Sequence, residues 1–295
     1  MVETRSRREK IYDACNVLFL AMLALLTLYP LLYVLFASVS NPTEFMKKNF
    51  TFLLKPVGKI QFEAYRLVFN NRSIGMGFRN TLVFLFLGTS INMLLTILGA
   101  YVLSRKGYRL KRLFTLMMIF CMYFEGGLVP LFLTVQKLNI YNTYWGVILP
   151  AAISTYNMIV LRTAFASVPA SLEESARIDG ANDFVILFRV MLPLCVPTLA
   201  VVGLYYAVTW WNAWFYAVIF LRDRQLLPIQ VILREILITS NADYLSENGR
   251  SLEMTFISEI IKYATIIVAT VPILAIYPFI QRFFVKGVML GAVKE

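Results

Sequence analysis

The chain has 295 residues, of which 59 % are hydrophobic and 15 % charged, with a mean hydropathy of +0.69; a soluble domain carries about 25 % charged residues, so much of this surface faces lipid. A net charge of +11 with no histidine argues against a histidine base or zinc centre, and the lysines and arginines read as helix anchors in loops rather than a nucleic-acid face. Cys15, Cys121 and Cys195 sit in or beside apolar runs without C-x-x-C spacing, the pattern of small hydrophobes rather than of a metal site or disulfide framework.

Arg5, Arg7, Arg8 and Lys10 precede an apolar run from Cys15 to Val39. That run is too long for the core of a signal peptide and reads as a retained helix. A membrane span needs about 20 mostly apolar residues, and five further stretches qualify: Thr81 to Leu103, Leu113 to Leu133, Trp145 to Phe165, Val196 to Leu221 and Phe256 to Phe279. The expected fold is an all-α integral membrane protein with six transmembrane helices. Its parts are an N-terminal segment 1–14, a membrane domain 15–280 and a C-terminal tail 281–295. Six spans put both termini on one side. Lysine and arginine are split almost evenly between the two sides, but short clusters beside helix ends carry the most weight. The N-terminal cluster and the charges from Arg105 to Arg112 therefore mark the cytoplasmic side. The long segments after the first and fifth spans fall outside, where they can cap the bundle or meet an external partner.

The connection between the fourth and fifth spans, 168–193, reads as an ordered helix-turn-helix lying along the membrane face. Ser171 and Glu174 have capping-box spacing, Pro169 lies harmlessly upstream, and Gly180 sits where a left-handed cap is wanted. Asn182 or Asp183 can cap a second helix. In that helix Phe184, Leu187, Phe188 and Met191 form one apolar stripe, and the helix ends at Leu192-Pro193.

Glu174-Ser175-Ala176, three residues, Gly180, nine residues, then Val190-x-Leu192-Pro193 resembles the "EAA" signature of binding-protein-dependent ABC importer permeases, with Ser175 for alanine and Val190 for isoleucine. Ser38 to Phe45, Asn80-Thr81-Leu82, Glu125 to Pro130, Asn142-Thr143, Leu161-Arg162, Trp211-Asn212 and Phe284 to Lys294 are similar to the maltose-type carbohydrate class. The Glu125 to Pro130 stretch and Pro228 to Leu237 are similar to its oligosaccharide or polysaccharide-fragment subgroup.

The resemblance implies a transporter subunit rather than an enzyme. No G-x-x-x-x-G-K-[ST] loop is present, and Gly58-Lys59 lacks the upstream glycine, so this chain should not bind ATP. No cofactor is expected on it; ATP and Mg belong to a cytoplasmic ABC ATPase dimer. The other implied partners are a second homologous permease, an extracellular sugar-binding protein, membrane lipid and the sugar itself. The loop would couple to the ATPase through Glu173, Glu174, Ser175, Ala176, Arg177, Asp179, Gly180, Ala181, Leu192 and Pro193. Within it Glu174 would pair with a basic residue, Ala176 would allow close backbone approach and Gly180 would make the turn. The tail with Gly287 and Gly291 would lie against the same partner.

Sugars bind aromatic faces and amide or acid groups. Tyr156, Asn157, Trp210, Trp211, Asn212 and Trp214 supply those chemistries in spans four and five, although tryptophan is also interface belt. Glu125, costly in lipid, is expected to bond to the Gly126-Gly127 turn in preference to substrate. Glu259 and Lys262 are expected to pair near the outer surface. An ion-coupled transporter would show paired repeats and midplane carboxylates, and the sequence offers only Glu125. A membrane enzyme would need a catalytic cluster that is absent.

Overall fold

The computed structural model describes residues 7–47, 53–105, 107, 109–243, 259–276 and 278. The C-terminal tail and both ends of the expected sixth span lie outside the described residues. Every regular element among them is helical. The chain divides into two units, 1–71 with 235–272 and 72–234 with 273–295.

In the first unit α1 (Arg7–Ser38) is apolar on all faces past its charged first two turns, and the most hydrophobic stretch of the helix buries nothing, as suits a helix whose solvent is hydrocarbon. Two short helices follow, α2 (Pro42–Lys47) and α3 (Glu63–Asn70). The hydroxyls of Ser38 and Tyr65 lie 2.6 Å apart, and Ser40 Oγ accepts the Val57 N–H at 3.0 Å. The last described helix, Glu259–Ile276, sets Tyr263 edge-on to Tyr33 and Phe45. Glu259 and Lys262 do pair, at 2.5 Å, with Lys262 buried.

The second unit is built on α4 (Arg72–Ser104), a second helix long and apolar enough to cross a membrane; Glu259–Ile276 is the third. The remaining expected spans are not single rods. The third breaks into α5 (Lys111–Tyr123) and α6 (Leu128–Lys137), bent by 114°. Gly127 takes φ 88°, and α6 starts immediately after it, with Pro130 in a first turn that needs no N–H from it. The fourth is α7 (Tyr144–Ala151) and α8 (Thr155–Ser167), bent by 52°, with Ser154 capping α8. After α9 (Ala170–Ile178) and α10 (Asp183–Leu194), an 88° bend at Cys195 leads into α11 (Val196–Trp211). The expected fifth span therefore stops at Trp211. Its remainder is a separate α12 (Phe215–Phe220), followed by α13 (Ile229–Asp243).

The core of this unit lies where α4, α8 and α11 meet. Buried polar side chains tie these helices together where lipid-like surroundings offer no water. Asn92 donates to Ala151 O and accepts from Trp210 Nε1, both at 2.6 Å. The hydroxyls of Thr96 and Tyr206 lie 2.7 Å apart. Asn80 donates to the carbonyls of Gln225 and Leu227 and accepts from Tyr144, which pins the segment entering α13. A wide π turn, Phe84–Gly88, places Gly88 under Trp210; a Cβ there would lie 2.4 Å from the indole.

Candidate functional site

The 168–193 connection folds as a helix, a tight turn and a second helix. α9 starts at Ala170 behind Pro169 and has no side-chain cap. The Ser171–Glu174 capping box is therefore not formed: the extended Pro169 starts the helix before Ser171 can act as its cap. At the other end Gly180 takes φ 81°, and Ala181 N–H reaches back to Ala176 O at 2.9 Å, the Schellman closure that a left-handed residue permits. Asn182, not Asp183, caps α10, accepting the Val185 N–H at 2.9 Å.

α10 departs from the expected stripe. Its residues Ile186–Met191 form a π turn, which adds a residue per turn and rotates the faces. Ile186, Leu187 and Met191 are buried as a result, while Phe184 and Phe188 face outward. The wide turn also precedes Pro193, whose ring would clash with a carbonyl four residues back in a regular helix. Leu192 packs on the core; Pro193 is exposed.

No residue of α9 is fully buried, and the helix has two faces. Glu174, Ser175, Ile178 and Asp179 point outward, Ile178 with 86 % of its surface exposed. Ala176 and Ala181 pack against the unit's own core, so the small size of Ala176 serves an internal contact. Glu173 turns inward. One of its oxygens meets Arg105 Nη1, just past the end of α4, and the other accepts from Arg177 Nη2 at 3.1 Å. Arg177 also donates to Asp183 Oδ1 at 2.6 Å. Asp183 in turn receives the Tyr101 hydroxyl at 3.4 Å, and the Arg105 guanidinium lies 4.6 Å from the Tyr101 ring centroid. The five side chains form a closed circuit beside an open cleft of about 530 Å³. Arg177 is held above its ordinary pKa, first by the hydrogen bond to Glu173 and then by that to Asp183.

Sequence reasoning named Glu173, Arg177 and Asp179 but not Arg105 or Tyr101. Arg105 stood only as one of a run of orienting charges; the signal that could have found it was a cation at a helix end with a carboxylate to meet.

The expected sugar contacts do not converge on one place. Trp210 is a core residue, stacked on Phe84 and bonded to Asn92, and is neither belt nor exposed contact. Asn157 is buried at the capped start of α8. Trp211 is buried against Phe78, its Nε1 without a hydrogen-bond partner among the described residues. Asn212 is exposed and bonds back to Val208 O. Tyr156 is exposed beside Tyr205. Trp214 is part-exposed, with the Arg234 guanidinium 4.2 Å from its ring centroid. Glu125 is exposed, and among the described residues no hydrogen bond reaches its carboxylate; the expected bond to the Gly126-Gly127 turn is not made, because that turn runs extended into α6.

Residues 93–290 match the family described as "Binding-protein-dependent transport system inner membrane component". The chain is 40 % identical to the polygalacturonan/rhamnogalacturonan transport system permease protein YtcP of Bacillus subtilis (strain 168), over 97 % of this chain and 99 % of that one. It is 36 % identical to Protein LplC of the same organism, over 97 % and 95 %. Among solved structures it resembles a chain of a bacterial ABC transporter involved in the import of the acidic polysaccharide alginate, with a TM-score of 0.84 and 30 % identity over 96 % of this chain and 100 % of that one.

Proposed function

This chain belongs to the binding-protein-dependent transport system inner membrane components, as a multi-pass permease of an ABC sugar importer, and from that premise we propose how it works. α9 is the coupling helix. Its outward face, with Glu174, Ser175, Ile178 and Asp179, sits in a groove of a cytoplasmic ATPase, and Glu174 pairs there with a basic side chain. ATP-driven closure of the ATPase pair pulls on α9 and rocks the spans, a rigid-body switch. The loop and both termini then lie in the cytoplasm, as the charge clusters at 5–10 and 105–112 suggest. A second permease completes the pathway and an extracellular binding protein delivers the sugar.

The observation that carries the reading is α9 itself: a short polar helix with no fully buried residue, one face fastened to its own chain and the other, with Ile178 exposed, left for a partner. The cargo is an oligosaccharide, and uronate-bearing oligomers are the first to test. The names of the relatives support that choice. So does Arg234, a cation laid on the part-exposed indole of Trp214.

The test is purification of the assembly from native membranes, followed by ATPase assay with the partner binding protein and galacturonate oligomers. An ATPase and a second permease should co-purify, and sugar-loaded binding protein should stimulate hydrolysis. Glu174→Lys should abolish import while leaving the permease in the membrane. Import by Glu174→Lys at the wild-type rate would remove α9 from the coupling role.

A further inference from the structure

The closed circuit of Tyr101, Arg105, Glu173, Arg177 and Asp183 has a property that none of its contacts has singly. Pro169 and Gly180 join α9 to its neighbours through one extended residue and one left-handed turn. Held by those two joints alone, a pulled helix would swivel and the pull would dissipate. The circuit adds a third attachment, to a part of the chain remote in sequence: Arg105 and Glu173 are 68 residues apart. Arg105 is fixed in turn, because its Nε and Nη2 both donate to Ser104 Oγ, at 3.1 and 3.0 Å. Charges alternate around the ring, so each carboxylate lies between two donors and each guanidinium meets a carboxylate. The Arg105 and Glu173 side chains are only 17 % and 23 % exposed, which sets them apart from free surface pairs of little worth.

We infer that this ring is the clamp that makes α9 and the long helix α4 move as one body, and that Arg105 and Glu173 are positioning residues for coupling. The inference rests on the coupling reading above. A pull on α9 then enters α4, the 33-residue apolar helix ending at Ser104, rather than only the adjoining α8 and α10. The ring assigns the two neighbouring glutamates different tasks: Glu174 faces the partner and Glu173 faces home.

The test uses the assembled importer in proteoliposomes, with galacturonate oligomers on the partner binding protein as cargo. Arg105→Gln and Glu173→Gln should each retain the co-purifying ATPase, while sugar moved per ATP hydrolysed falls about tenfold, within the usual range of a coupling term between sites. The double variant should be no worse than the poorer single, because both remove the same contact. Arg105→Lys, which keeps the charge, should recover much of the loss. Unchanged stoichiometry in both single variants, or losses that multiply in the double, would overturn the clamp.

A second readout needs no sugar. With the exposed Cys15 and Cys121 replaced by serine, spin labels at Ser171→Cys and Val102→Cys, both exposed, should keep one separation with and without ATP and vanadate when the ring is otherwise intact. In Glu173→Gln the distribution should broaden or shift on nucleotide. A separation that changes with nucleotide while the ring is intact would sink the single-body idea. If instead Glu174→Lys transports normally, it is the coupling reading that fails, and the two failures are distinguishable.

Discussion

Two residues show how sharply single positions are set. Gly180 holds φ 81° in open space, where an added Cβ would meet no atom within 4 Å. The cost of Gly180→Ala is therefore backbone strain alone, about 1–2 kcal/mol, with Gly180→Asn milder. Thermal unfolding of the detergent-solubilised protein should rank them in that order. Asn92 is the opposite case, fully buried and bonded on both sides, to Ala151 and to Trp210. Asn92→Ala leaves the indole N–H and a carbonyl unpaired and should cost about 1–3 kcal/mol, read by the same melt. Glu125→Gln should change the melt by less than about 0.5 kcal/mol, since no described bond holds the carboxylate. In the ring, Arg177 is charged as any arginine is, and its hydrogen bonds to Glu173 and then Asp183 push its pKa further up.

At the scale of elements, the chain breaks its helices where a local rule lets it. Between α5 and α6 the break follows two glycines, the second at φ 88°, a conformation closed to most side chains. Gly127→Val should disorder this 114° corner and lower the yield of folded protein, whereas Gly126→Ala should be tolerated; gel filtration of both variants checks the difference. Hydropathy could not see these corners, because an apolar run scores the same whether it goes straight or turns. The Glu125-Gly126-Gly127-Leu128-Val129-Pro130 spelling carried the information, and length alone had joined the two halves. The capping box failed for a related reason: Ser171 and Glu174 have the right spacing, but Pro169 had already started the helix. The Gly180 cap is readable because it depends on one residue's own chemistry, and the second cap is readable to within Asn182 or Asp183, two neighbours that share the needed oxygen.

For the whole molecule, membrane class and family were legible from composition and from the residues between Glu174 and Pro193. The sugar-contact candidates were not, since residue type does not tell a core tryptophan from a wet one. Trp210 and Trp214 share a chemistry, four residues apart, yet one is 2 % and the other 40 % exposed. The division of labour predicts that this chain, purified alone, hydrolyses no ATP; activity that follows the polypeptide through a final column would contradict it. The unclad surface of α1, with Leu18 and Leu25 each about 70 % exposed, predicts that the isolated chain stays dispersed only in detergent or bilayer.

The π turn at Ile186–Met191 has one more consequence. Such a turn holds one residue more than a regular helix would use over the same rise. Deleting Val190 should heal the ladder and turn everything before it by about 100° relative to Met191. Asp183 would swing off Tyr101, and the ring could not close. The surplus residue thus acts as a dial setting: the angle at which α9 meets its own chain is written in the count of residues in α10, as well as in the charges that lock it.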